Sequence, residues 1–539
     1  MSKLPSVMSH SFSEIPRADI QRSRFDRSHG YKTTFDAGYL VPFYVDEALP
    51  GDTFSMSATG FARLATPIHP VMDNMYLDTF FFAVPIRLIW DNWERFNGEQ
   101  KNPGDSTDFV VPTLAKTAAN SFTANSLHDY FGLPVGVANL QPSAFWHRAY
   151  NLIWNEWFRD ENLQDSVEVP TGDGPDAIST YSLLRRGKRH DYFTSCLPWP
   201  QKGPSVQLPL QGNAPVTGEG LVDRAYIDGY VNPQGQHAPL ALFAGSTAAA
   251  NPPNKANLQY VGSQVNAVTG NTLSFPVKPG TFVSDMSNVT AATINELRQA
   301  FQIQRMYERD ARGGTRYTEV ILSHFGVHSP DARLNRPEYL GGGSTPINIS
   351  PVAATTSSTD QPQGNLAGVG TALAHGHGFH KSFTEHCVII GLVNVRADLT
   401  YQQGLDRMWS RSTRFDFYWP ALAHLGEQAV LNKEIYAQGT SADDDVFGYQ
   451  ERYAEYRYKQ SRITGEFRSS FAQSLDVWHL SQDFAALPTL SEDFIVDNPP
   501  IDRVIAVPSE PHFLFDAFLK LRCARPMPVY SVPGLIDHF

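Results

Sequence analysis

Three histidines, His375, His377 and His380, stand close together in the tract AHGHGFH, a spacing that would let imidazole nitrogens converge on a metal ion. No cysteine and no pattern of supporting residues accompanies them, so the tract is read without a metal. A second cluster, LRRGKRHD, gathers Arg185, Arg186, Lys188 and Arg189. It shares only a Gly-Lys pair with a phosphate-binding loop, because Arg189 stands where GxxxxGK[ST] needs a hydroxyl. The better reading is a basic surface patch that faces DNA or a neighbouring subunit. Asp443, Asp444 and Asp445 read as an exposed acidic loop, and Gly341–Ser344, GGGS, as a flexible turn. There is no GxSxG, no HExxH and no Cys-His pairing that points to a nucleophile. With 55 acidic residues a pair spaced for glycoside hydrolysis can always be proposed, and none stands out. The chain is therefore read as no enzyme, with no cofactor.

Charge is placed unevenly. The formal net charge is −12, yet residues 1–32 hold six basic groups (Lys3, Arg17, Arg22, Arg24, Arg27, Lys32) against three acidic ones (Glu14, Asp19, Asp26). This arm is the part suited to meet phosphates, while the acidic body would repel them. Arg17, Arg22, Arg24, Arg27 and Lys32, with the cluster Arg185, Arg186, Lys188 and Arg189, are the candidate DNA contacts. An acidic chain cannot neutralise a polyanion alone, so holding one would need a separate basic partner or cations.

The elements that must position these groups are mostly strands. Gly38–Leu49, Thr53–Leu64 and Met75–Ile89 are rich in Phe, Tyr, Val and Leu and are bounded by turn residues. His386–Leu399 carries a nearly continuous apolar run and suits a strand buried on both faces. Ile501–Val507 and Phe513–Leu521 supply further candidates. Strand blocks at both ends of the chain predict a Greek-key sandwich in which early and late strands pair. Ser143–Asp160 predicts a helix with Trp146, Tyr150, Ile153 and Trp157 along one face. Thr293–Arg312 predicts another, opened by the capping box Thr293-Ile-Asn-Glu296 and closed by Gly313-Gly314.

At 539 residues the chain exceeds the roughly 250–300 residues at which single cores stop growing. It holds several domains, or long loops that find burial against neighbouring subunits. Charged residues are 18% against a usual figure of about 25%. That deficit suits a surface covered by copies of itself, since interface cores are depleted in charge and enriched in aromatics and Arg. A large secreted β protein would look similar in bulk. Cys196, Cys387 and Cys523 are too far apart for a disulfide framework, and MSKLPSVMSHSFSE has no apolar signal-peptide core. The most apolar run, Met75–Trp90, is too short to span a bilayer, so no membrane insertion is expected.

Six tracts in order carry a resemblance: Ile15–Pro50, Met72–Trp90, Leu184–Gly203, Ile303–Ser344, Lys381–Leu405 and Arg525–Phe539. Together they resemble the major capsid proteins of the Microviridae, small single-stranded DNA bacteriophages, in particular the gokushovirus branch. The resemblance implies an eight-stranded antiparallel jelly-roll sandwich with long helix-containing loop insertions, a viral capsid type within the mainly β class. It implies self-assembly into a small icosahedral T=1 shell around a circular single-stranded DNA genome, with a small basic DNA-binding phage protein as partner. It places the chain in the virion, assembled in the cytoplasm of a bacterial host.

The domain map follows. Residues 1–32 form a basic arm and 33–202 the first part of the jelly roll. Residues 203–290, with seven charged residues in eighty-eight, form a low-charge insertion. By the resemblance this is a surface projection that meets a host receptor. Residues 291–340 return through a helix, 341–379 make a low-charge loop, and 380–539 supply the last strands, interface loops and tail. The aromatic and Arg-rich tract Met408–Trp419, with Trp409, Arg411, Arg414, Phe415 and Trp419, is expected to bury against neighbouring subunits. The alternative is a secreted carbohydrate-active β-sandwich protein, in which exposed aromatics would be sugar platforms.

Overall fold

The computed structural model describes residues 21–118, 121–206, 293–357 and 362–530, with five short strands between 216 and 284. It divides into two compact units, one of Met1–Gly203 with Tyr307–Phe539 and one of Pro204–Met306. In chain order the first unit opens with β1 (Ser23–Asp26), β2 (His29–Phe35), β3 (Val41–Ala48), β4 (Thr53–Leu64) and β5 (Met75–Pro85). Helices α1 (Trp93–Phe96), α2 (Leu127–Tyr130) and α3 (Phe145–Trp157) follow. The second unit holds β6 (Val216–Gly218), β7 (Ala225–Val231), β8 (His237–Leu240), β9 (Leu273–Ser274) and β10 (Phe282–Ser284). The long helix α4 (Ile294–Arg312) leads to α5 (Tyr317–Phe325). Strands β11 (Glu338–Pro346), β12 (Asn348–Ala353), β13 (Leu366–Ser382), β14 (Cys387–Ala397), β15 (Glu427–Leu431), β16 (Val446–Glu451) and β17 (Phe513–Arg525) complete the chain.

Ten of these strands form one antiparallel sheet in the order β1-β17-β4-β13-β11-β5-β14-β3, with β2 beside β17 and β12 beside β13. The first strands thus pair with the last, Ser23 opposite Arg525 and Phe35 opposite Phe513. The sheet curls on itself. Phe43 on β3 and Phe515 on β17, far apart in strand order, meet edge to face with ring centroids 5.8 Å apart. The fold is mainly β and of the capsid jelly-roll type, as the resemblance implies.

Strand β14 shows why its sequence is apolar throughout. Side chains alternate across a strand, and here each face meets a core. Ile389, Val393 and Val395 enter the core inside the curled sheet. Val388, Ile390 and Leu392 enter a second core against Ala149, Tyr150, Ile153 and Trp154 of α3. The buried stripe of α3 is rotated from the predicted one: Trp154 is buried and Trp157 is partly exposed. The cause is polar. Tyr150 donates its hydroxyl to the Leu40 carbonyl at 2.8 Å and Trp154 its indole N–H to the Arg185 carbonyl at 2.8 Å, which fix the helix rotation.

Two expectations fail. Ile501–Val507 is not a strand. Ile501–Arg503 is a 3-10 turn behind Pro499-Pro500, and Ile501, Val504 and Ile505 are buried at helical spacing. The low-charge segment 341–379 is not a loop over most of its length, since its described residues contribute to β11, β12 and β13. The glycines there are structural. A Cβ on Gly342 would collide with the Thr79 carbonyl and one on Gly343 with the His377 ring, so only glycine lets β11 lie between its neighbours. The projection expected over 203–290 lies outside the described residues apart from residues 203–206 and β6 to β10.

Candidate assembly and nucleic-acid surfaces

The loop before the basic cluster is built on one buried ion pair. Arg148 on α3 donates to both carboxylate oxygens of Asp176 at 2.7 Å, and Tyr181 donates to the same carboxylate at 2.6 Å. Beyond it, three of the four cluster cations turn inward. Arg185 lies 3.9 Å over the Tyr39 ring and donates to the Ala37 and Asp497 carbonyls. Arg186 pairs with Asp78 at 2.6 Å, a carboxylate that Arg396 also reaches at 2.9 Å. Lys188 is buried 4.6 Å over the Phe494 ring, and burial lowers its ammonium to about 8. Burial also raises the nearby Asp497 carboxyl to about 7, against the pull of Arg186 and Lys188. Only Arg189 is exposed. The expected surface patch is thus largely an internal tie between β5, β14 and the 494–498 segment, because the apolar and acidic groups that receive these cations come from distant parts of the sequence.

The basic arm is part of the sheet from Ser23 onward. Arg17 lies outside the described residues. Arg22 donates to the Thr53 hydroxyl, Arg24 is exposed, and Arg27 forms a bidentate pair with Asp46 at 2.7 and 2.9 Å. Lys32 pairs with Asp516 at 2.7 Å, both largely exposed.

The aromatic tract lies on the surface. Trp409 is 70% exposed, and Phe415, Phe417, Tyr418 and Trp419 are all exposed. Arginines stack on its rings. Arg411 pairs with Glu455 at 3.4 Å and lies 4.2 Å over the Tyr456 ring, while Arg414 lies 5.3 Å over Trp419. A cluster of exposed large aromatics is unusual for a chain that stays alone in solution.

The three histidines do not converge. His375 and His380 are exposed on β13, whereas His377 is buried, its Nδ1 2.9 Å from the Thr79 hydroxyl and its Nε2 3.0 Å from that of Thr345. Asp443 accepts N–H bonds from Gln438 and Gly439, and Asp444 pairs with Lys433, so the acidic run closes a turn. Sequence reasoning missed two buried polar centres. Glu434 accepts from Tyr192 at 2.9 Å and from Arg407 at 3.0 Å, and His128 and His147 touch through ring nitrogens 2.9 Å apart. Tyr192 and Glu434 lie 242 residues apart, so no local spacing announces their contact.

A fold of strands with an exposed aromatic surface and no convergent catalytic groups among the described residues is matched by one family. The model described as capsid protein (F protein) matches residues 13–535. The chain belongs to this phage capsid protein family. Similar relatives are the capsid protein VP1 of Bdellovibrio phage phiMH2K, 49% identical over 98% of each chain, and that of Chlamydia phage 1, 48% identical over 99% of each. The capsid protein VP1 of Spiroplasma virus 4 is 37% identical over 99% of each chain. The resemblance to Microviridae capsid proteins of the gokushovirus branch is borne out by these matches. As a capsid protein the chain has a structural rather than an enzymatic role, and its place is the virion. No described helix is long and apolar enough to cross a membrane.

Proposed function

We propose that this capsid protein is the major subunit of a small icosahedral T=1 shell that encloses a circular single-stranded DNA phage genome. The observation that carries the reading is the exposed Trp409, Phe415 and Trp419 surface, interleaved with Arg411 and Arg414, on a chain of the capsid family. These five residues bury against neighbouring copies in closed, symmetry-related contacts. The arm residues Arg17, Arg22, Arg24, Arg27 and Lys32, with Arg189, meet the genome. Arg185, Arg186 and Lys188 support that surface from within rather than touch DNA. Because the chain carries −12, a small basic DNA-binding protein supplies the remaining neutralisation. Residues 203–290 form the projection that meets a receptor on the bacterial host, in whose cytoplasm the shell assembles. The family membership disposes of the carbohydrate-active alternative.

The test is to express the chain at neutral pH and measure its mass by light scattering, with electron microscopy of any large species. Closed shells, formed alone or on addition of a basic peptide and circular single-stranded DNA, are the expected result. A chain that stays monomeric under all these conditions overturns the reading.

A further inference from the structure

The outward face of the sheet around β17 combines rings and cations in one register. Along β17 the even-numbered side chains point out: Leu514, Asp516, Phe518, Lys520 and Arg522 are exposed, while Phe513, Phe515, Leu519 and Leu521 are buried. The neighbouring strands extend the same face. Phe61 on β4 stands opposite Asp516, Ser57 opposite Lys520 and Ser55 opposite Arg522. Leu373 on β13 stands opposite Phe61. On the other side Asp26 stands opposite Arg522, and Gly30 opposite Phe518, so no side chain of β2 covers that ring. Phe61 is 45% and Phe518 53% exposed.

The charge on this face is opposite to that of the whole chain. Arg22, Arg24, Arg63, Lys520 and Arg522 are exposed there, against Asp26 and the already paired Asp516. Asp26 stays ionised, its carboxyl lowered by accepting from the Ser28 hydroxyl at 2.6 Å and amide at 3.0 Å and by the nearby Arg522 and Lys520, so it offsets one of these five positive charges. Arg24, Arg63, Lys520 and Arg522 join no ion pair with a described residue. A recess of about 560 Å³ lies between Arg22, Arg24, Asp26, Ser55, His380 and Arg522, three cations against one carboxylate.

We propose that this face is a docking surface for single-stranded DNA, in which bases stack on Phe61 and Phe518 and phosphates lie against Arg24, Lys520 and Arg522. This rests on the reading that the shell encloses single-stranded DNA. Unpaired bases stack on exposed aromatic rings whatever their sequence, and a basic track follows the backbone. A second copy of this face is the poorer fit, because a symmetric contact would set Arg24, Arg63, Lys520 and Arg522 against one another, and the face also carries Lys32, Ser55 and Ser57, types depleted in protein interfaces. Duplex DNA keeps its bases stacked inside and gains nothing from the rings.

The experiment is fluorescence anisotropy of labelled oligo(dT) and of a labelled duplex, titrated with the full chain at several salt concentrations, beside light scattering on the same samples. The expected result is preference for oligo(dT), a loss of about tenfold or more in Phe61→Ala/Phe518→Ala, and unchanged melting. Arg24→Ser/Arg522→Ser is expected to reduce the slope of log affinity against log salt by about 1.4. Affinity unchanged in both variants, or equal binding of duplex, overturns the proposal. So does a change of oligomeric state with DNA affinity untouched, which makes the face a contact between copies. Shell formation is read separately by scattering: shells with unmoved DNA affinity sink this inference alone, and DNA binding without shells sinks the assembly reading alone.

Discussion

Arg148 and Asp176 form a bidentate ion pair with side chains 0% and 3% exposed, both N–H donors lying 2.7 Å from the carboxylate oxygens. The pair joins α3 to the 171–181 loop, and Arg148 also donates to the Ile89 carbonyl at 2.9 Å, so one guanidinium ties together three segments packed on the outer face of β5 and β14.

Removing one partner leaves the other charge buried. Asp176→Asn is expected to destabilise the subunit by about 3–5 kcal/mol, read as a large fall in melting temperature and soluble yield. A melting temperature within a degree of the parent would show that the pair is dispensable.

The touching His128 and His147 give the fold an acid limit. Burial lowers His128 to about 4 and His147 to about 3, the latter also repelled by His128. Depressed folded-state values mean the unfolded chain binds more protons below its own histidine value of about 6.5. Stability is therefore full above about pH 6.5 and is lost as pH falls toward 4, by up to about 1.4 kcal/mol per pH unit per histidine. Melting curves from pH 7 to 4 check this, and His147→Gln is expected to flatten the decline; an equally steep decline in that variant points to another group.

Trp409→Ala and Trp419→Ala touch exposed rings, so subunit stability should change by less than about 0.5 kcal/mol. Assembly, by contrast, should weaken by about 2 kcal/mol or more per site if these rings are interface anchors. Light scattering against concentration separates the effects, and shells that form at the parent's threshold would remove the tract from the interface.

Gly342→Ala and Gly343→Ala insert a methyl where the Thr79 carbonyl and the His377 ring already lie. A loss of about 1–3 kcal/mol is expected, measurable by chemical denaturation. A neutral result would mean that β11 shifts to make room.

Period and composition disclosed the strands. Thr53–Leu64 matches β4 end to end, and the unbroken apolar run of β14 announced a strand with a core on each face. The Thr293 and Glu296 capping box forms as read, with reciprocal bonds of 2.8 and 3.2 Å. These features are local, so the chain states them directly. Gly341–Ser344 was illegible for the opposite reason: a glycine run reads as a turn unless the backbones pressing on it are known, and those belong to β5 and β13.

The same division runs through the candidate surfaces. The capsid family, the mainly β class, the low charge of the body and the basic arm are all written in residue types and their order. Which cations stay exposed depends on long-range packing. It turned Arg185, Arg186 and Lys188 onto Tyr39, Asp78 and Phe494, and it left Arg24, Lys520 and Arg522 exposed on the same sheet face as Phe518. A charge is spent or available according to partners hundreds of residues away, and only strand register brings those partners into reach.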